Sequence, residues 1–246
     1  MSDGKQSAGG AMEHRQQQQQ PRKRREEDMD TRISKRLTSL LRHNAEKAGL
    51  AIRPDGYALV SDVLRCAQLD RSVDESKVLE LVDKDKKSRF GTQRDDQGRL
   101  WIRANQGHTI AAVDRDHLLT PIKDASAYPV CIHGTTLLAW NSIKHTGLCR
   151  MKRNEIHCAK GEFGTVLSGF RPSTQVLVYI NLGLCLEHGI PWFESENGVL
   201  LTPGLGEKGV IPTGYFTKVI NAKTKEVLEF QPTFEVGEDA DEKGGD

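Results

Sequence analysis

The sequence predicts an α+β protein of two lobes, on three observations. Apolar residues recur at helical spacing in the first third of the chain, a hairpin signal closes that third, and after Pro121 short strand-like runs alternate with single helical stretches. In the first lobe, residues 30–120, Ile33, Leu37, Leu40, Leu41, Ala45 and Ala48 share one helical stripe, with Asp30 or Thr31 placed to cap its start and Gly49 to stop it. A Pro54-Asp55-Gly56 turn leads to a short helix from Ser61. Ser72-Val73-Asp74-Glu75 has the form of a capping box and opens a third helix with Val78, Leu81 and Val82 inside. Arg89 to Arg94 and Arg99 to Ala104, split by Asp95-Asp96-Gln97-Gly98, read as a hairpin. Helices followed by a terminal hairpin is winged-helix order, a plan that often contacts nucleic acid.

The second lobe, residues 125–232, reads as sheet-rich. Val130-Cys131-Ile132 predicts a strand, Trp140 to His145 a helix ending at Gly147, and Val176 to Ile180 a buried strand. Further strands are expected at Gly198 to Leu201, after the turn Glu196-Asn197-Gly198, and at Tyr215 to Ile220. Residues 1–29 hold Gln16 to Gln20 and the mixed run from Pro21 to Asp28, and residues 237–246 are acidic and Gly-rich. Neither composition can bury a core, so both predict disordered tails.

Lys and Arg number 35 against 34 Asp and Glu, so no global field announces a polyanionic partner and any anion must be read by local cations. The five cysteines lack metal-ligand spacing and suit reduced thiols, there is no apolar run of membrane-spanning length, and no signal-peptide core is evident. These features predict a soluble intracellular protein, cytoplasmic or nuclear. No Gly-rich nucleotide motif of the Rossmann or P-loop kind occurs, and the histidines lack the paired spacing of a metal site, so no metal is expected.

Chemistry has several candidate addresses. Arg42 and His43 fall off the apolar stripe of the first helix, and Arg89 stands where the third helix meets the hairpin; each alone also reads as an ordinary surface or helix-end cation. Arg103 to His108 is either an exit turn or a donor-rich loop. His133-Gly134-Thr135 closes a strand ahead of a helix, where backbone amides can meet phosphate. Arg153-Asn154-Glu155-Ile156-His157 sets a cation and an imidazole on one short stretch.

Taken in order, Leu40-Leu41-Arg42-His43, Asp55-Gly56-Tyr57, Lys87-Ser88-Arg89-Phe90, Ile102 to His108, Ile132-His133-Gly134-Thr135, Arg153 to His157 and Ser168-Gly169-Phe170-Arg171 resemble the tRNA 2′-phosphotransferase family over about residues 33 to 230. The resemblance implies a winged-helix lobe and an ADP-ribosyltransferase-like lobe with the active site between them. It implies a catalytic tetrad of Arg42, His43, Arg89 and Arg153, with NAD⁺ as co-substrate held by His133, Gly134, Thr135, Asn154, His157, Ser168 and Gly169. The implied partner is RNA carrying an internal 2′-phosphate, as in spliced tRNA, and the expected state is a monomer. The family usually has Leu where Cys158 stands and Met where Phe170 stands, both apolar exchanges that bear on packing. Two other readings remain open: an ADP-ribosyltransferase that modifies a nucleic-acid phosphate or a protein and stops there, and a winged-helix nucleic-acid binder without catalysis.

Overall fold

A computed structural model describes residues 28–69 and 72–235, so the expectations for 1–27 and 237–246 lie outside the described residues. The first helix, α1, already includes residues 28 and 29, ahead of the expected tail boundary and of the caps at Asp30 or Thr31; it runs to residue 39 and widens into a π turn, Leu40–Asn44. Ile33, Leu37, Leu40, Leu41 and Ala45 are buried as the stripe predicts, but Ala48 is exposed. The wide π turn and the tight 3-10 turn Glu46–Ala48 change the angle per residue, which rotates Ala48 off the stripe. Gly49, in a left-handed conformation, stops the run as expected.

A short strand that the sequence reading did not include, β1 (Ala58–Leu59), precedes α2 (Val60–Cys66). The cap of α3 (Glu75–Lys84) is Asp74, not Ser72: its carboxylate accepts from the Lys77 amide at 2.8 Å. The hairpin is present as β2 (Phe90–Arg94) and β3 (Leu100–Ala104), with Phe90 opposite Ala104, and Ala58 of β1 opposite Ile102 completes a sheet in the order β1-β3-β2. Leu37, Leu41, Val60, Val63, Val78 and Ile102 are fully buried beneath it in one apolar cluster.

Next come α4 (Arg115–Leu118), β4 (Thr120–Ile122), β5 (Ile132–Thr135), α5 (Leu137–Thr146), β6 (Leu148–Cys149), β7 (Ile156–Ala159), β8 (Val176–Ile180), α6 (Leu182–Glu187), β9 (Trp192–Glu194), β10 (Val199–Thr202), β11 (Val210–Ile211) and β12 (Phe216–Asn221). Seven of these strands form one antiparallel sheet, β12-β8-β5-β7-β10-β9-β4, and β11 pairs with β6. The fold is therefore α+β. Thr120, grouped with the first lobe by sequence, lies on this second sheet. Trp140, Leu148, Val178, Trp192, Leu200 and Ile211 belong to its main apolar cluster, while Ile132 and Leu177 join Phe170 and Tyr179 in another, so β8 is buried at four of five positions. Packing continues past residue 232: the Gly214 amide donates to Thr233 O at 2.7 Å, and the Phe234 ring stands edge-on to Tyr215 at 5.1 Å. No helix among the described residues is long and apolar enough to cross a membrane, and all five cysteines are free thiols.

Candidate active site

The segment leaving β3 stitches the two halves together. The Thr109 amide donates to Arg42 O at 2.9 Å, and the Asn154 amide donates to His108 O at 3.2 Å, so the end of α1 and the stretch before β7 share one connector. Gly107 sits at its centre with φ +84°. A Cβ there would stand 3.4 Å from Arg42 Nη1 and 3.5 Å from His157 Nε2, so side chains from opposite halves converge on this bare backbone.

The convergence is cationic. Nε and Nη2 of Arg42 are buried without a hydrogen-bond partner. Burial lowers its pKa to about 10, and Arg153 and then Arg89 add repulsion that Asp85 partly offsets. Burial also lowers Arg153, with Arg171 adding repulsion. Asp85 is already engaged, holding Arg89 Nη1 at 2.6 Å. Four guanidiniums thus lie in one region, Arg171 among them exposed, and the buried unbonded nitrogens of Arg42 carry a desolvation cost that no carboxylate offsets fully.

Three imidazoles stand among these cations and are held neutral. His43 Nδ1 lies 3.1 Å from Thr109 Oγ1, whose proton points to Arg42 O at 3.4 Å. The hydroxyl therefore accepts from Nδ1–H, and this network leaves a lone pair on His43 Nε2. Burial lowers the His43 pKa, with Arg42 and Arg153 contributing. Burial and Arg42 lower His108 to about 3. Burial pushes His157 well below the ordinary histidine range, with Arg153 and Arg42 adding to it. His157 Nδ1 donates to Glu155 O at 3.0 Å, so the Arg153 guanidinium 3.4 Å from that nitrogen is a neighbour, not a donor, and the buried Nε2 keeps an unused lone pair.

One strand away, His133 Nδ1 donates to His157 O at 2.9 Å. Gly134 lies under the run from Ser168 to Arg171 and the turn beyond it: a Cβ there would meet Phe170 Cδ1 at 2.7 Å and Thr174 Oγ1 at 2.8 Å. Thr135 ends β5 ahead of α5, whose cap Thr136 accepts from the Ala139 amide at 3.2 Å while Gln175 accepts from the Leu137 amide at 3.2 Å. Two amides at that helix start thus already have partners within the chain. Ser168 Oγ donates to Lys87 O at 3.2 Å, and Gly169 rests against Ala159 of β7.

Arg42, His43, Arg89, Arg153 and His157 therefore come together, with Asn154 and Ser168 at the seam and His133 to Thr135 on the adjoining strand. Arg171, Asp85, Asn105 and His108 were not singled out. Arg171 lies in the run Ser168 to Arg171, Asn105 and His108 lie in the loop Arg103 to His108, and Asp85 lies in the charged run Asp83 to Lys87 just before Arg89, a pattern that does not distinguish it from its neighbours. A groove of about 540 Å³ runs from His43 and Arg89 along Ser34, Lys35, Thr38 and Ser39 of α1 to Lys84 of α3. Among the described residues no cluster of three or more His, Cys, Asp or Glu is placed to hold a metal ion.

Comparison with known proteins gives one consistent result. Residues 28–204 match the model of the RNA 2′-phosphotransferase, Tpt1 / KptA family. The chain is 41% identical over 212 residues to tRNA 2′-phosphotransferase 1 of Bos taurus, covering 84% of this chain and 78% of that one. It is 40% identical over 201 residues to tRNA 2′-phosphotransferase 1 of Danio rerio, covering 80% and 88%. It is also 40% identical over 198 residues to a Schizosaccharomyces pombe relative, of which it spans 53%.

Proposed function

The chain belongs to the RNA 2′-phosphotransferase, Tpt1 / KptA family, and from that premise we propose that it transfers an internal RNA 2′-phosphate to NAD⁺. The products are RNA with a 2′-OH, nicotinamide and ADP-ribose 1″,2″-cyclic phosphate, the closing reaction of tRNA splicing. The observation that carries the reading is the buried guanidinium of Arg42, which lacks a partner while Arg89 and Arg153 lie within electrostatic reach. Planar forks of this kind fit the oxygens of a phosphate dianion.

In this reading the first half is a winged-helix lobe that takes RNA, the second an ADP-ribosyltransferase-like lobe that takes NAD⁺, and the flanking RNA lies in the groove along α1. The unused Nε2 of His157 supports a dinucleotide seated on β5 and β7, with His133, Gly134, Thr135, Asn154, Ser168 and Gly169 around it. In the first step the 2′-phosphate oxygen bonds to C1″ of the nicotinamide ribose, and the C1″–N bond breaks with its electron pair leaving on nicotinamide. The phosphate is already anionic, so this step needs aim more than a base, and the guanidiniums supply aim. Keeping His157 neutral avoids adding positive charge beside a ribose carbon that itself becomes positive.

In the second step the ribose O2″ attacks phosphorus and the RNA 2′ oxygen departs. Negative charge grows on the phosphoryl oxygens, where Arg42, Arg89 and Arg153 hold it. A proton must leave O2″ and another must reach the RNA oxygen. The lone pair on His43 Nε2 accepts the first, and the resulting imidazolium donates the second.

The test is product analysis of the purified full chain with an internally 2′-phosphorylated oligonucleotide and NAD⁺, metal chelated. Nicotinamide and 2′-OH RNA are expected in equal amounts. Dephosphorylation of equal rate without NAD⁺ would overturn the reading, and an ADP-ribosylated RNA that never resolves would identify a one-step ADP-ribosyltransferase.

A further inference from the structure

We propose that Asn197, at the tip of the β9–β10 turn, is a positioning residue that acts through Arg89; the proposal rests on the function given above. Arg89 is carried by a short segment, residues 85–89, whose backbone is strained. Ser88 has φ 44°, a left-handed conformation that persists in a non-glycine residue when the surroundings over-determine it. Inside the segment, Asp85 accepts from the Arg89 amide at 2.6 Å and from the Lys87 amide at 3.2 Å, and the Ser88 amide donates to Asp85 O at 2.7 Å. From the first half, the buried Asn105 donates through Nδ2 to Ser88 O at 2.9 Å.

The Asn105 amide also donates to Arg89 O at 2.9 Å, and further holds come from the other half of the molecule. Lys87 O accepts twice, from Asn197 Nδ2 at 2.9 Å and from Ser168 Oγ at 3.2 Å. The Asn197 amide cannot be turned over without loss. Its Oδ1 accepts from the buried Ser195 hydroxyl at 2.8 Å, and a flip would set oxygen against the Lys87 carbonyl and move that hydroxyl's proton to its other acceptor, Val199 O at 3.2 Å. Two consecutive carbonyls of a strained segment are thus pinned, one from each half, immediately before the arginine. Because Asp85 holds the Arg89 guanidinium from within the same segment, any shift of that segment carries the charged group with it. The segment from Glu196 to Gly198, which sequence reads as a turn, becomes the second half's grip on the segment that carries Arg89.

The experiment compares wild type, Asn197→Ala, Arg89→Ala and the double variant in single turnover with a 2′-phosphorylated oligonucleotide and NAD⁺. Misplacing a reacting group by about 1 Å can cost about 10²-fold, so Asn197→Ala is expected to slow turnover by roughly 10- to 100-fold with the KM for NAD⁺ unchanged. In the Arg89→Ala background the same change should cost nothing further. Asn197→Asp, which keeps the acceptor for Ser195 but has no proton for Lys87, should fail like alanine. Glu196→Ala is the control on the same turn, since Glu196 pairs with Arg103 at 2.9 Å and does not touch Lys87; its loss should stay within about twofold. Amide exchange over residues 85–91 should accelerate in Asn197→Ala, a readout that stands whatever reaction the enzyme performs and so separates failure of this proposal from failure of the assigned function. Additive losses in the double variant, an equal loss in Glu196→Ala, or unchanged exchange over 85–91 would overturn the proposal.

Discussion

The two ends of α1 handle charge in opposite ways. Near its start, Asp30 meets Lys77 at 2.8 Å and Lys84 at 3.7 Å, and both lysines also meet Glu80, so each cation has acids beside it. At its far end, Arg42 is buried, faces Arg89 and Arg153, and leaves two guanidinium nitrogens unbonded. The Asp30–Lys77 pair is largely buried, at 17% and 14% side-chain exposure, whereas Lys84 and Glu80 are exposed and their pairing contributes little, roughly 0 to 1 kcal/mol in general. A buried cation without a partner works against folding, so its presence points to a ligand that is not part of the chain. One end of the helix balances its charges within the chain, and the other leaves a guanidinium that, in the proposed function, receives an anion.

Arg42→Met breaks this comparison most severely. If Arg42 holds the phosphate and stabilises the transition state as proposed, a roughly 10³-fold loss in kcat/KM is expected. The apolar replacement fills similar volume and relieves the repulsion, so the urea midpoint should hold or rise. A 2′-phosphorylated oligonucleotide should raise the melting temperature of the wild type and much less that of the variant. A variant that is less stable yet active would show that Arg42 is a structural cation.

His43→Ala is expected to act more selectively. Losing a positioned acid/base costs about 10²-fold, and here it should fall on the second step, so the 2′-phospho-ADP-ribosylated RNA accumulates. For the base role proposed for His43 the neutral imidazole is the active form, and burial and the two arginines lower its pKa. The second-step rate should therefore be level from pH 7 to 8 and decline only below the ordinary histidine range. Resolving substrate, intermediate and product across pH checks both points. Equal slowing of both steps with no intermediate would make His43 a binding residue.

The next effect is on stability. His108 has a folded pKa of about 3, so below the ordinary histidine value the unfolded chain takes up a proton that the folded chain refuses. The stabilisation is full above about pH 6.5 and declines as pH falls toward 3. Urea midpoints should drop between pH 6.5 and 4.5, above the range where most carboxylates titrate, and His108→Gln should flatten that drop. An unchanged slope in the variant would assign the acid sensitivity elsewhere, His157 being the next candidate because burial lowers it in the same direction.

These residues differ in how far sequence exposed them. The α+β class, the hairpin, the stripe of α1 and the strand at Val176–Ile180 follow from periodicity and turn chemistry, which are local. Arg42, Arg89 and Arg153 lie far apart in the chain, so no spacing rule could gather them; only the ordered motifs of a family resemblance did. The strand at Ile156–Ala159 went unread because His157 and Cys158 interrupt an apolar run too short to reveal a period. The π turn and the grip of Asn197 on Lys87 depend on tertiary contacts, and no local pattern encodes them.

The smallest expected effect tests where the anion receptor ends. Lys35 lies on α1 between the paired start and the receptor end, and it lines the groove that leads to His43 and Arg89. If RNA flanking the 2′-phosphate follows this groove, Lys35 neutralises a backbone phosphate without touching the reacting atoms. Lys35→Ala should then raise the KM for a long oligonucleotide a few-fold, leave kcat and the KM for NAD⁺ unchanged, and reduce the slope of log affinity against log salt by about 1. A substrate trimmed to the nucleotides next to the 2′-phosphate should lose this sensitivity, because its backbone no longer reaches Lys35. If the salt slope of the long substrate is unchanged in the variant, the strand leaves the cleft by another path, and the paired character of the start of α1 extends through Lys35.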